Sequence, residues 1–239
     1  RGSIDEVRVF NTALTADQIQ KMVYQEVRQQ GTAIRGEIVP KNIEGTLWFN
    51  LIGYYRMDAY KDDVIDNYFT AGIDTPASAT KAIIYNHKVI NYQLAPMPFV
   101  TTQSSALETA VSQNNFVYGD DLYAYDWSIL QVKHNINLPY NLTGVGLFID
   151  PAITVNLTNN NKIQNNWYMR LDGKLDLQGR AQLVQGPTSD LDPVSAGFIE
   201  RDQQGQTNKW NYNYWAMPVG AIGAGNNNAQ TVASLMKDG

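Results

Sequence analysis

Four aspartates, Asp58, Asp62, Asp63 and Asp66, fall in one short loop and supply the hard carboxylate oxygens that Ca²⁺ takes. The loop lacks the glycine and the closing glutamate of an EF-hand, so a bound calcium ion and a plain solvated loop both fit the residues. Asp120, Asp121 and Asp126 form a second acidic group of the same kind. Acid–base chemistry has little to draw on, because the chain holds two histidines, His87 and His134. His134 lies in phase with Leu130, Val132, Ile136 and Leu138, which predicts a packed, hydrogen-bonded ring. His87 follows Asn86 and reads as part of a turn. No serine sits in a nucleophile elbow. Paired carboxylates of the glycosidase type are defined by separation in space, so spacing along the chain neither finds nor removes them.

Aromatic side chains are the other candidate binding groups. Trp210, Tyr212, Tyr214 and Trp215 alternate in part, so a strand here would turn some of them outwards. Aromatic faces stack on sugars and anchor protein contacts, which makes these four a candidate ligand-binding set. The plainer role of such residues is to fill a β core or its flanks.

Composition bounds the rest. With 239 residues and 44% apolar content the chain can bury a sizeable core, while only 17% of it is charged. Tyr, Trp, Asn, Gln, Thr and Gly suit extended strands and polar turns, so a mainly β fold is expected. A net charge of −5 and few basic clusters argue against nucleic acid or anionic membrane as partners. Cysteine is absent, which removes disulfides, thiolate metal sites and cysteine nucleophiles. No stretch reaches the roughly 20 apolar residues of a membrane span, so no membrane insertion is expected.

The elements that must position these residues read as follows. Ile4, Val7, Val9 and Phe10 mark a strand, and its pairing partners are expected upstream of residue 1. Thr15 with Gln18 makes a capping box, with Leu14 and Ile19 as a hydrophobic staple. Ile19, Met22, Val23 and Val27 then recur at helical spacing, and Gly31 ends the helix. Residues 31–45 read as a linker. Thr46 to Asp58 reads as a strand leading into the acidic loop. Short apolar runs at 82–86 and 88–92 close on Pro96 and Pro98, and 101–119 reads as a polar loop.

From Trp127 onwards the alternation is regular. Leu130, Val132, Ile136 and Leu138 share one phase, then Val145, Leu147 and Ile149, then Ile153, Val155 and Leu157, then Trp167, Met169, Leu171, Leu175 and Leu177. Comparable strands return after roughly twenty residues, the interval of stacked β-solenoid rungs. A sandwich with long strands gives the same list. The Asn-rich run 156–166 fits a turn whose amides ladder between rungs or hold left-handed backbone, and equally an ordinary polar loop. The sequons at Asn141 and Asn156 read as chance.

Two stretches carry resemblances. Gly2-Ser3-Ile4-Asp5-Glu6-Val7-Arg8-Val9-Phe10-Asn11-Thr12-Ala13-Leu14 with Asp17-Gln18-Ile19 resembles the closing strand of laminin-G-like, concanavalin-type jelly rolls. Gly53-Tyr54-Tyr55-Arg56-Met57-Asp58 resembles part of the first strand of such a unit. Gly146-Leu147-Phe148-Ile149-Asp150-Pro151, Leu171-Asp172-Gly173-Lys174-Leu175-Asp176-Leu177, Leu191-Asp192-Pro193 and Tyr212-Asn213-Tyr214-Trp215-Ala216-Met217-Pro218 resemble a segment of very large surface proteins of gliding Flavobacteria and related Bacteroidota. That likeness implies many β modules in series, exported by the type IX secretion system.

The expected organisation is the end of a laminin-G-like domain (1–30), a linker (31–45), a short β-rich unit with a partial laminin-G-like start (46–119), a β-rich solenoid-like segment (120–219), and a flexible connector with the start of a next element (220–239). The expected role is a non-enzymatic, adhesive window from a much longer extracellular or outer-membrane-attached protein. Its expected partners are neighbouring domains of the same chain, surface glycans and the type IX machinery, with no cofactor unless Ca²⁺ binds. Accessory glycan-binding modules of a secreted polysaccharide-degrading enzyme are the alternative.

Overall fold

The computed structural model describes residues 4–23, 25–57, 64–68, 77–85, 98–101, 111–112, 128–202, 207–208 and 210. Over the described residues the fold is mainly β with one short helix, and its centre is a parallel β-solenoid-like region. The first rung is β10 (Ile129–Val132) with β11 (Ile136–Leu138), and the second is β12 (Leu142–Ile149) with β13 (Thr154–Leu157). The third is β14 (Lys162–Leu171) with β15 (Lys174–Leu177), and the fourth is β16 (Gln182–Gln185), β17 (Asp190–Leu191) and β18 (Phe198–Arg201). Rung stacks on rung through parallel pairing in two sheets, β10-β12-β14-β16/β17 and β11-β13-β15-β18. Parallel register at a repeat of roughly twenty residues selects the solenoid over the sandwich, whose neighbouring strands run antiparallel.

Alternation sends like residues into like places. Leu130, Leu147, Met169 and Leu191 stand above one another inside the first sheet, as do Val132, Ile149 and Leu171. Ile136, Val155, Leu175 and Ile199 do the same inside the second, beside Leu138, Leu157 and Leu177. These stacks form a continuous core. His134 departs from this pattern: the strand stops at Val132, and residues 133–135 turn the corner between the sheets, which leaves the ring exposed. Phase is kept across the corner, so the sequence alternation looked unbroken there.

The Asn-rich run does ladder between rungs. Lys162 N donates to Asn141 Oδ1 at 2.9 Å, and Arg180 N donates to Asn159 Oδ1 at 2.8 Å, each one rung away. Asn160 takes a left-handed φ of 67°.

Outside the first sheet lies a cap made of β1 (Val7–Phe10), α1 (Ala16–Met22), β2 (Val27–Gln30), β3 (Ala33–Gly36), β4 (Asn42–Leu47), a 3-10 turn at Trp48–Asn50, and β5 (Leu51–Tyr55). The capping box forms, with Gln18 N donating to Thr15 Oγ1 at 3.2 Å and Thr15 N to Gln18 Oε1 at 2.8 Å. The helix is shorter than its apolar spacing predicts, because Val27 is the first residue of β2 and Gly31, at φ 59°, turns β2 into β3. It buries Lys21 and Met22, while Ile19 and Val23 stay largely exposed.

The expected linker at 31–45 is instead β3 and most of β4, in an antiparallel sheet β2-β3-β4 with Ile34 and Ile43 in its core. β1 pairs antiparallel with β5 (Val7↔Tyr55, Arg8↔Tyr54), a partner inside the chain. The strand read from Thr46 to Asp58 is broken by the 3-10 turn, so its two halves join different sheets. β6 (Val64–Asn67) pairs with β7 (Ala77–Ile83), while β8 (Phe99–Val100) runs parallel to β10 and carries the antiparallel β9 (Val111–Ser112).

The cap is bound to the solenoid by specific contacts. Val39 packs where Gly146 leaves room, since a Cβ there would lie 3.1 Å from Val39 Cγ2. Lys41 Nζ pairs with Asp190 Oδ2 at 2.7 Å and donates to the carbonyls of Trp167 and Thr188. Within the cap itself Gln25, fully buried, donates to Lys21 O and accepts from the backbone N–H groups of Ile38 and Val39.

Candidate functional site

The second sheet turns a polar row outwards. Asn137, Asn156, Asp176 and Glu200 occupy equivalent positions on β11, β13, β15 and β18, beside a row of Thr154, Lys174 and Phe198. Asn156 Nδ2 donates to Asn137 Oδ1 at 2.7 Å, and Lys174 Nζ pairs with Glu200 at 2.5 Å and Asp176 at 3.7 Å. Glu200, by its hydrogen bond, holds the Lys174 ammonium above its ordinary range. Phe198 is exposed at the end of its row. Parallel strands repeat such groups about every 4.8 Å, a spacing that suits contact with an extended polymer.

A denser cluster marks the corner where the first sheet ends. Tyr168 OH donates to Asp192 Oδ2, and Arg170 holds Asp172 at 2.7 Å and Asp192 at 3.5 Å. Asp172 Oδ1 accepts from Ala196 N and Asp192 Oδ1 from Val194 N, so both carboxylates also fasten the turn. The Arg170 hydrogen bond holds Asp172 below the usual carboxylate range. Burial pushes Asp192 up, but Tyr168, Val194 N–H and Arg170 together outweigh it and bring it below that range too. Phe148 leans on the Tyr168 ring at 5.5 Å.

The third ionisable cluster is sealed inside the cap. Glu6 Oε2 accepts from Tyr54 OH at 2.5 Å and from Arg8 Nη2, while Arg8 also donates to the carbonyls of Met22 and Gln25. Arg56 pairs with Glu26 at 3.1 Å, and both guanidiniums lie over the Tyr54 ring. Burial, helped by Glu26 and Asp5, lifts Glu6 to about 7 against the pull of Arg8 and Tyr54, and burial pushes Tyr54 up to about 12. A glutamate tuned to neutrality has the pKa of an acid–base group. It faces packed backbone and aromatic surface here.

Inside the solenoid, a cavity of about 10 Å³ lies among Ser128, Thr143, Gly144 and Asn165, with room for one water at most. Of the residues singled out from sequence, Asp58, Asp62 and Asp63 lie outside the described residues, and Asp66 is described only as part of the β6 backbone. Among the described residues no group of three His, Cys, Asp or Glu side chains is placed to hold a metal. Trp210 is 79% exposed, its backbone N–H donating to Asn208 Oδ1, while Tyr212, Tyr214 and Trp215 lie outside the described residues, as do Asp120, Asp121, Asp126 and His87.

Sequence reasoning missed the Glu6–Arg8–Tyr54 cluster. Its only signal was two charged residues inside an apolar strand, Glu6 and Arg8, which an exposed strand face explains as well. Comparison with family models, with curated proteins and with solved structures finds no match.

Proposed function

We propose that this chain is a structural and adhesive segment, without catalysis of its own, of a very large secreted or cell-surface bacterial protein that serves surface attachment, including attachment during gliding. The observation that supports it best is the Asn137–Asn156–Asp176–Glu200 row, in which stacked rungs hold polar groups in register along one sheet face. Each rung satisfies the next one's backbone, so length is added without a new core plan, and reach grows with rung number. The likeness of residues 146–151 and 171–177 to surface-protein segments of gliding Bacteroidota agrees with this reading and supplies the proposed route, type IX export to the outer membrane.

Exposed Trp210 favours a second reading, accessory glycan binding beside a polysaccharide-degrading domain. Both are tested by labelling intact cells of the source bacterium with antibody to this chain and by competing attachment with the purified chain. Surface labelling with competed attachment supports adhesion. Specific glycan-array binding lost in Trp210→Ala favours the accessory module. Labelling only after cell lysis would overturn both.

A further inference from the structure

Glu6 is held at a left-handed φ of 52°, a conformation few non-glycine residues adopt, and its side chain is 4% exposed. Its Oε2 is shared between Tyr54 OH and Arg8, but Oε1 is buried with no hydrogen-bond partner among the described residues. Asp5 and Arg8 face it from its own segment, Glu26 from the approach to β2, Tyr54 from β5, and Arg56 from just beyond β5. Two guanidiniums thus meet three carboxyls around one tyrosine. An ionised carboxylate with one oxygen buried and unpaired carries a desolvation cost that the neutral acid avoids. Arg8 keeps its anchors when Glu6 is neutral, because its Nη groups still reach Met22 O at 3.0 Å and Gln25 O at 2.6 Å.

We propose that Glu6 is a proton-operated latch, whose protonation tightens the docking of β1 onto β5 and the end of α1 and whose ionisation loosens it. The docked carboxyl titrates at about 7 against an ordinary 4.5, burial being the largest cause. A folded value above the unfolded one means the extra stability is complete below 4.5 and is lost as pH rises through 7. Burial raises Asp5 in the same direction, so it is the group to separate. Release of β1 would free a β5 edge and the half-buried side chains of Val7 and Phe10 within the neutral range.

The test is amide hydrogen exchange at Val7–Phe10 between pH 5.5 and 8, corrected for intrinsic rates, on the whole chain. Protection in the wild type is expected to fall roughly thirtyfold over that range. Glu6→Gln is expected to hold it nearly constant, and Asp5→Asn to keep the slope. Flat wild-type protection, or an unchanged slope in Glu6→Gln, would overturn the latch. Should Glu6→Gln fail to fold, the side-chain carboxyl of wild-type Glu6 is titrated by carbon-13 NMR: a midpoint above about 6 supports the proposal and a lower one removes it.

Discussion

Lys21 Nζ stands 5.4 Å from the centre of the Trp167 ring, joining the cap helix to the third rung of the solenoid. Both side chains are buried, and the ammonium also meets Asp17 at 2.7 Å and Glu44 at 3.2 Å. Those carboxylates are mostly exposed, so they contribute little on their own, whereas a desolvated cation over indole is worth up to about 2 kcal/mol. The long stem of Lys21 adds packing. Lys21→Ala should therefore lower the free energy of unfolding by about 2 kcal/mol and Lys21→Met by about 1 kcal/mol, measured by urea denaturation. In a Trp167→Leu background the Lys21→Met change should cost nothing further, and an undiminished cost there would show that the ring is not the partner.

Two glycines let successive corners nest. A Cβ on Gly173 would lie 2.3 Å from Ile153 O, and one on Gly197 would lie 2.0 Å from the carbonyl of Gly173 itself. Backbone cannot yield as a side-chain tip can, so Gly173→Ala and Gly197→Ala should each cost about 2–3 kcal/mol and raise exchange at Lys174 and Phe198 N–H. Gly31→Ala meets nothing within 4 Å and bears only its left-handed φ, so its cost should stay near 1 kcal/mol. Equal costs at all three sites, read from thermal melts, would refute close approach as the cause.

The repeating strands were legible, though not the choice of solenoid over sandwich, because inward positions repeat their chemistry: Ile136, Val155 and Leu175 are one column written three times, with polar turns between, and only their parallel register selects the solenoid. A local signal sufficed for the capping box as well, since Thr15 and Gln18 need only each other. The cap was not legible, because its decisive contacts join distant residues. Nothing near Ile19 announces that Lys21 will turn inwards towards Trp167, and nothing near β1 announces β5 as its partner. Glu6 shows the limit most clearly, for its role depends on a backbone angle and on Tyr54, neither of which a pattern of apolar and polar residues records.

Asn165 is a polar residue in an inward column, opposite Gly144 and 2% exposed. Its Oδ1 has no hydrogen-bond partner among the described residues, and its Nδ2 reaches Ser189 Oγ only at 3.4 Å. Removing an amide so poorly satisfied gives back most of what it contributes. Asn165→Ala should cost under about 1 kcal/mol, against about 3 kcal/mol for Leu147→Ala beside it. If chemical denaturation gives Asn165→Ala the larger cost, the amide is held by a strong bond through the small cavity it lines, and the column is polar by requirement.

The Tyr168–Asp192 hydrogen bond and the Arg170–Asp172 pair make the corner acid-labile. Both carboxylates sit below the ordinary 3.8, so the stability they lend is present above that value and is lost as pH falls beneath it through their lowered values. Exchange at Val194 and Ala196 N–H, which these carboxylates accept, should therefore rise as pH drops below the carboxylate range while the β13–β15 amides stay protected. Asp192→Asn should abolish the pH dependence at Val194 and leave that at Ala196, because Asp172 keeps Arg170 as a partner. Simultaneous loss of protection across both sheets would instead mean that the corner carries no local equilibrium and that acid unfolds the rungs as one unit.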